Sequence, residues 1–253
     1  MLKLITCTTV IITMVLIMAH TTATKDANTY RLASNAPLGL FNKLTNDSSC
    51  SAKDVNAECY NLWQLGNAGL CENAFDYALK GFSYLKKSDL IRKKDIITII
   101  DFSKPSTEKR LFVIDLFSGK ILYRTWVAHG RNSGNEYANE FSNSPESHQS
   151  SLGFYTTMDT YIGCHGYSLR IRGCEAGIND KAYERAIVIH GADYVSNDFI
   201  NTRGSLGRSY GCPAIPIQLS KEIINVIKNG SCLFIYHPTT KYCSQSKILN
   251  SQT

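Results

Sequence analysis

Hydrophobic positions follow three different spacings along this chain. Near the N-terminus, Leu4 to Ala19 is an apolar run with only small polar interruptions, preceded by Lys3 and followed by Thr21, Thr22 and Ala23. A basic residue, an apolar stretch and small residues at its end predict a secretory signal over 1–23, cleaved near Ala23. The alternative, a retained anchor, needs more apolar residues than this run supplies, and no later segment approaches that length. The mature chain is therefore expected to be exported, with no membrane span. Residues 24–66 are rich in Asn, Ser, Thr and Ala and show weak periodicity, which predicts a loosely structured lead-in. In the stretch from Glu72, Phe75, Ala78, Leu79, Phe82 and Leu85 recur at helical spacing, the pattern of an amphipathic helix over about 72–87. Past "KKSDLIRKKD" the pattern shortens to strand-like runs: 96–102, 111–116, 121–129, 152–158, 167–173, 185–191 and 232–236, with turn signals at "FSGK", "GRNSGN" and "GIND". A further helix is predicted over 220–229, closed by Gly230. The chain thus reads as a lead-in with one helix (24–90), a mostly β domain (91–238) with one or two packing helices, and a polar tail (239–253), mobile unless Cys243 pins it.

Composition narrows the partners. With 253 residues, 43% hydrophobic and 19% charged, the chain can bury one substantial core. The formal charge of +6 falls to +5 when Lys3 leaves with the signal. That mild excess suits an anionic polymer or surface, but Lys and Arg are not clustered as nucleic-acid binders cluster them, which excludes that class. Beyond Cys7, eight cysteines remain: Cys50, Cys59, Cys71, Cys164, Cys174, Cys212, Cys232 and Cys243. Export permits disulfides, so all eight could pair; a free Cys212 requires at least one more unpaired thiol. Cys164 and Cys174, close in sequence, are the expected bridge.

Two residues carry the candidate chemistry. In "RAIVIHG", four apolar residues from Ala186 to Ile189 predict a buried strand, and His190 sits where it emerges, with Gly191 leaving room beside it. A lone strand-end histidine is most often a structural hydrogen-bonder. In "GRSYGCPAIP", Cys212 lies between Gly211 and Pro213, and a base beside it would make that thiol a useful nucleophile. On this view Cys212 is mildly acidic and alkylates quickly at neutral pH. Gly211 lets the backbone turn so that main-chain N–H groups face a developing oxyanion. A zinc site built from His129, His165 and His190 is the competing reading, but the tight spacing of an H-E-x-x-H motif is absent, so no metal and no cofactor are expected. "GRNSG" lacks the lysine and following helix of a phosphate loop and reads as a turn.

His190-Gly191, then Ser209, Tyr210, Gly211 and Cys212, together with "IIDFSKPSTEKRLFVIDL", "VAHGRNSG", "SSLGFYTT", "YIGCHGYSLRIRG" and "AIVIHGADYVS", resemble the murein L,D-transpeptidase catalytic domain family, the YkuD-like L,D-transpeptidases. The resemblance covers roughly residues 90–238. It implies a YkuD-like β-sandwich or barrel and an exported enzyme of the bacterial periplasm or cell envelope. Such an enzyme acts on peptidoglycan stem peptides through a Cys212 thioester, with His190 as general base. It further implies that Gly211, Ser209 and Gly191 shape the oxyanion loop, and that Tyr210, Arg208 and His165 contact substrate. Tyr210 stands where the family commonly has histidine, and no arginine closely follows the cysteine; Arg208 or Arg203 is then expected to hold the donor carboxylate. Water in place of an amine acceptor would make the same site a carboxypeptidase, and loss of turnover would leave a wall-binding module.

Overall fold

The computed structural model describes residues 52–251; the signal expected over 1–23 and Cys50 lie outside them. Eight strands form one sheet: β1 (Ile96–Asp101), β2 (Leu111–Asp115), β3 (Lys120–Thr125), β4 (Gly153–Gly163), β5 (Gly166–Gly173), β6 (Val188–Ala192), β7 (Ala214–Pro216) and β8 (Cys232–Tyr236). Their order is β3-β2-β1-β8-β4-β5-β6-β7. Every residue of β1 and β8 is buried, so neither alternates polar with apolar: β8 has no charged residue, and β1 is interrupted only by the buried Thr98 before it ends at the buried Asp101. They lie parallel at the centre, Ile97 opposite Cys232 and Asp101 opposite Tyr236.

The two edges of this sheet meet. Ala128, just beyond β3, bridges Ala214 of β7, and Gly130 bridges Ser209. The Ala128 N–H donates to the Ala214 carbonyl at 2.8 Å. The result is a mostly β, nearly closed barrel whose seam runs along 128–130 and 209–214. Closing it satisfies edge groups that would otherwise need another strand.

Five α-helices occur among the described residues: α1 (Ala52–Leu62), α2 (Glu72–Lys87), α3 (Asn197–Arg203), α4 (Ile217–Ile227) and α5 (Thr240–Gln245). α2 buries the stripe that its spacing predicts, including Phe75, Ala78, Leu79, Phe82 and Leu85. At Gly81 it sits so close to the sheet that a Cβ would fall 2.0 Å from the Phe154 ring. α4 buries Ile223, Ile224 and Ile227. It packs beneath Gly191, where a Cβ would meet Ser220 Oγ at 2.8 Å.

Several expectations change. α1 forms inside the stretch expected to be loose; only Val55 and Cys59 of it are clearly buried hydrophobics, too few to make a periodic signal. α4 begins at Ile217, directly after Pro216, rather than at 220, and Asn229 (φ 66°) and Gly230 (φ 98°) make the left-handed turn after it. α3 has no buried residue and so no stripe to read; Ser196 caps it, accepting from the Phe199 N–H at 3.3 Å. The tail expected to be mobile instead folds into α5 and buries Tyr242, Ile248 and Leu249. Its anchor is the buried Glu175 carboxylate, which accepts from the Phe154 N–H (2.8 Å), the Tyr242 hydroxyl (3.1 Å) and the Ser246 hydroxyl. Burial pushes that carboxyl above its ordinary range.

The expected Cys164–Cys174 bridge is also absent. All seven cysteines among the described residues are free thiols. Cys164 sits at the β4–β5 turn, next to the Gly163–Gly166 pair, whereas Cys174 follows the far end of β5. An eight-residue strand spans roughly 25 Å, several times the Cα separation that a disulfide tolerates.

Candidate active site

β6 carries His190 between Ser168 of β5 and Ala214 of β7. The residue is buried. Its Nδ1 lies 3.0 Å from the Gly191 carbonyl oxygen, which, as acceptor, holds the proton on Nδ1 and leaves Nε2 as the basic nitrogen. The ring stacks on His165 of the β4–β5 turn, centroids 4.2 Å apart and planes 19° from parallel. Burial, with a smaller like-charge effect from His165, holds the His190 pKa below the usual imidazole value, against the opposing Gly191 carbonyl. At neutral pH this is a neutral base.

Cys212 reaches β6 from the seam. Gly211 has φ 120°, a conformation that L side chains rarely adopt. Ser209 braces the turn: its hydroxyl accepts from the Gly211 N–H (3.1 Å) and donates to the Cys212 carbonyl (2.6 Å). Its own N–H donates to the His129 carbonyl at 3.0 Å. Ser150 adds a second brace, donating to the Gly211 carbonyl at 3.3 Å and accepting from the Gly130 N–H at 3.0 Å. The thiol then lies against the start of β6, accepting from the Val188 N–H at 3.5 Å and donating to the Ala186 carbonyl at 3.8 Å. Val188 and His190 are two residues apart on β6, so the loop that carries the candidate nucleophile packs against the strand that carries the candidate base. The Gly211 N–H is committed to Ser209; the Cys212 N–H has no acceptor among the described residues.

The electrostatics correct one expectation. Burial raises the Cys212 pKa above the usual thiol value; the Val188 N–H and Arg185 pull it back, and Cys164 adds to the rise. With the thiol raised and the imidazole lowered, both groups rest neutral, not as the mildly acidic thiol that the sequence suggests, because burial disfavours the charged form of each.

His129 is a structural residue. The fully buried Arg110 donates to its Nδ1 at 2.8 Å, and burial together with that charge pushes the His129 pKa down to about 3. Among the described residues no group of three or more His, Cys, Asp or Glu could hold a metal ion.

Two features escape the sequence. Arg185, in the turn before β6, donates to the 142–151 segment and lies against Gly211. Beside the loop, a cavity of about 400 Å³ is lined by Arg131, Arg203, Arg208, Phe199 and Tyr210 among others. Arg208 is anchored there through Nη1 to the Arg131 and Gly134 carbonyls and Asn135 Oδ1 (3.3, 3.0 and 2.7 Å). The Tyr210 ring meets the His148 ring at a tilt of 45°, centroids 4.5 Å apart, with the Arg131 guanidinium 5.6 Å above it. None of the ion pairs formed among the described residues involves these arginines. Their convergence depends on the seam bringing 131 beside 208, which no local pattern announces.

Residues 67–236 match the L,D-transpeptidase catalytic domain. The chain belongs to that family. The L,D-transpeptidase domain so defined contains α2, all eight strands, His190 and Cys212. Among solved structures the chain is similar to an L,D-transpeptidase from Mycobacterium smegmatis (11% identity, 56% of this chain and 59% of that one, TM-score 0.36). It is also similar to an L,D-transpeptidase of Enterococcus faecium (14% identity, 56% and 50%, TM-score 0.35). A third likeness is to the helical cell shape determining protein of Campylobacter jejuni (15% identity, 63% and 54%, TM-score 0.38). The chain thus spans between half and three fifths of the length of these structures. No curated protein sequence matches it significantly.

Proposed function

We propose that this L,D-transpeptidase-family chain is an exported enzyme of the bacterial cell envelope that remodels peptidoglycan by acyl transfer through Cys212. The observation that carries the reading is the meeting of the Cys212 thiol with β6, two residues from a buried imidazole whose Nε2 is unspent. Because thiol and imidazole start neutral, the proton moves as the bond forms. His190 Nε2 takes it from Sγ while Sγ attacks the carbonyl of the third residue, a diaminopimelate, of a tetrapeptide stem. The Cys212 N–H, unspent in the resting loop, is the candidate donor to the oxyanion. Collapse expels D-alanine, which leaves with the proton returned by His190, and a thioester remains on Cys212. An amine of a neighbouring stem then gives a crosslink, and water gives a trimmed stem; both reactions use the same two residues.

Tyr210, Arg208 and His165 form the substrate-contacting rim in this reading. The donor carboxylate sits in the basic cavity, where Arg208 is pre-positioned and Arg131 and Arg203 add charge, in place of the arginine absent after the cysteine. The test is incubation of the purified protein with disaccharide-tetrapeptide and identification of products by mass. Release of D-alanine, abolished in Cys212→Ala at unchanged melting temperature, is the expected result. Turnover persisting in that variant would move the nucleophile elsewhere, and binding of the muropeptide without any turnover would identify a wall-binding module instead.

A further inference from the structure

We infer that Arg185 is a positioning residue of the catalytic loop, the permanent cation that favours the Cys212 thiolate over the thiol. This rests on the reading of Cys212 as nucleophile. Arg185 Nη1 donates to the Ser142 carbonyl (2.8 Å) and the Ser151 hydroxyl (2.7 Å). Nη2 donates to the Ser147 hydroxyl (3.1 Å) and the Gln149 carbonyl (2.7 Å). Every one of these acceptors is neutral. The guanidinium is therefore held rigidly by four hydrogen bonds, yet no carboxylate cancels its charge, an unusual state for a half-buried arginine.

Its position gives that charge a target. Nη2 lies 3.3 Å from where a Cβ would stand on Gly211, the residue before the nucleophile, and the Gln149 carbonyl that it grips lies 2.8 Å from the same point. The side chain thus touches the inner wall of the catalytic turn, and its interaction with Cys212 favours charge on both groups. The titratable groups whose charges act on or respond to the thiol are Arg185, Cys164 on the β4–β5 turn and Tyr194 beyond β6. Only Arg185 is permanently charged. A neutral His190 offers the sulfur a place for its proton but no field, so the field comes from the other side of the loop.

A loop clamp alone would explain the four hydrogen bonds; it would not require a charge. The two roles separate by pH profile. Alkylation of Cys212 by iodoacetamide, followed peptide by peptide by mass spectrometry between pH 6 and 11.5, is compared in the parent protein, Arg185→Lys and Arg185→Gln. Arg185→Gln is expected to move the Cys212 midpoint up by about one pH unit, roughly a tenfold loss of rate at neutral pH. Arg185→Lys, which keeps the charge and breaks the fork, is expected to hold the midpoint near the parent's while lowering the melting temperature. Equal shifts in the two variants, or none in either, would overturn the assignment. If Arg185→Gln fails to fold, Arg185→His takes its place, charged at pH 6 and neutral at pH 8; its Cys212 rate must fall below that of Arg185→Lys as the imidazole discharges, and parallel profiles overturn the proposal. The alkylation readout needs no substrate, so a parent protein that releases no D-alanine would count against the proposed function and leave this result standing.

Discussion

Gly211→Ala probes the catalytic turn most directly. The backbone there has φ 120°, and holding alanine in so sparsely populated a conformation costs on the order of 1–3 kcal/mol. The new methyl would also land 2.8 Å from the Gln149 carbonyl, 3.0 Å from Ile187 Cδ1 and 3.3 Å from Arg185 Nη2. Ile187 can rotate away, but the Gln149 carbonyl is backbone and is gripped by Arg185 at 2.7 Å, so the strain cannot relax cheaply. Together these give a loss of about 3 kcal/mol, which for a domain of this size lowers Tm by roughly 6–12 °C. The turn's easiest relief is to swing outward, breaking the Ser209 brace and lifting Cys212 from the Val188 N–H, so D-alanine release should fall by more than the folded fraction does. Differential scanning calorimetry and product mass analysis on the same preparation measure both quantities. A Gly211→Ala protein with unchanged Tm and full turnover would refute the account of the loop.

Three other outcomes follow from the same geometry. His129 takes a proton near 6.5 when unfolded but only near 3 when folded; its folded pKa is lowered, so its contribution is complete above pH 6.5 and shrinks as pH falls toward 3. At about pH 4.5 that loss is on the order of 2–3 kcal/mol, with His190 and His237 shifted in the same direction; urea midpoints that do not change between neutral and acid pH would contradict this, and His129→Gln should flatten the slope. Tyr242→Phe removes one donor from the buried Glu175 carboxylate and should cost about 1–3 kcal/mol, read as a lowered Tm, whereas a freely moving tail would show no change. A non-reduced digest should yield Cys164 and Cys174 as separately alkylated peptides, and a linked pair would contradict the register of the β4–β5 hairpin.

The parts of this protein legible in its sequence are those whose cause is local. The stripe of α2 and the mainly apolar runs of β1 and β8 are burial patterns written at fixed spacing, and they appear where that spacing puts them. His190 and Cys212 were legible as candidates because glycine neighbours and chemically distinctive side chains mark them. α1 and α3 were not, since each buries too little to leave a periodic trace. The tail was not, because what orders it is Glu175, a carboxylate far away in sequence.

By itself, then, the chain's order of residues determined seven of the eight strands, all but the three-residue β7, the main packing helix and the pair of side chains able to do covalent chemistry. Tertiary structure alone decided that the sheet's edges meet beside Cys212, which carbonyl orients His190, what anchors Arg185 against the Gly211 turn and in which direction burial shifts the thiol and the imidazole. The reason is physical: hydrophobic periodicity is a property of neighbours along the chain, whereas edge closure, desolvation and the field at a sulfur atom are set by groups that only folding brings within a few ångströms.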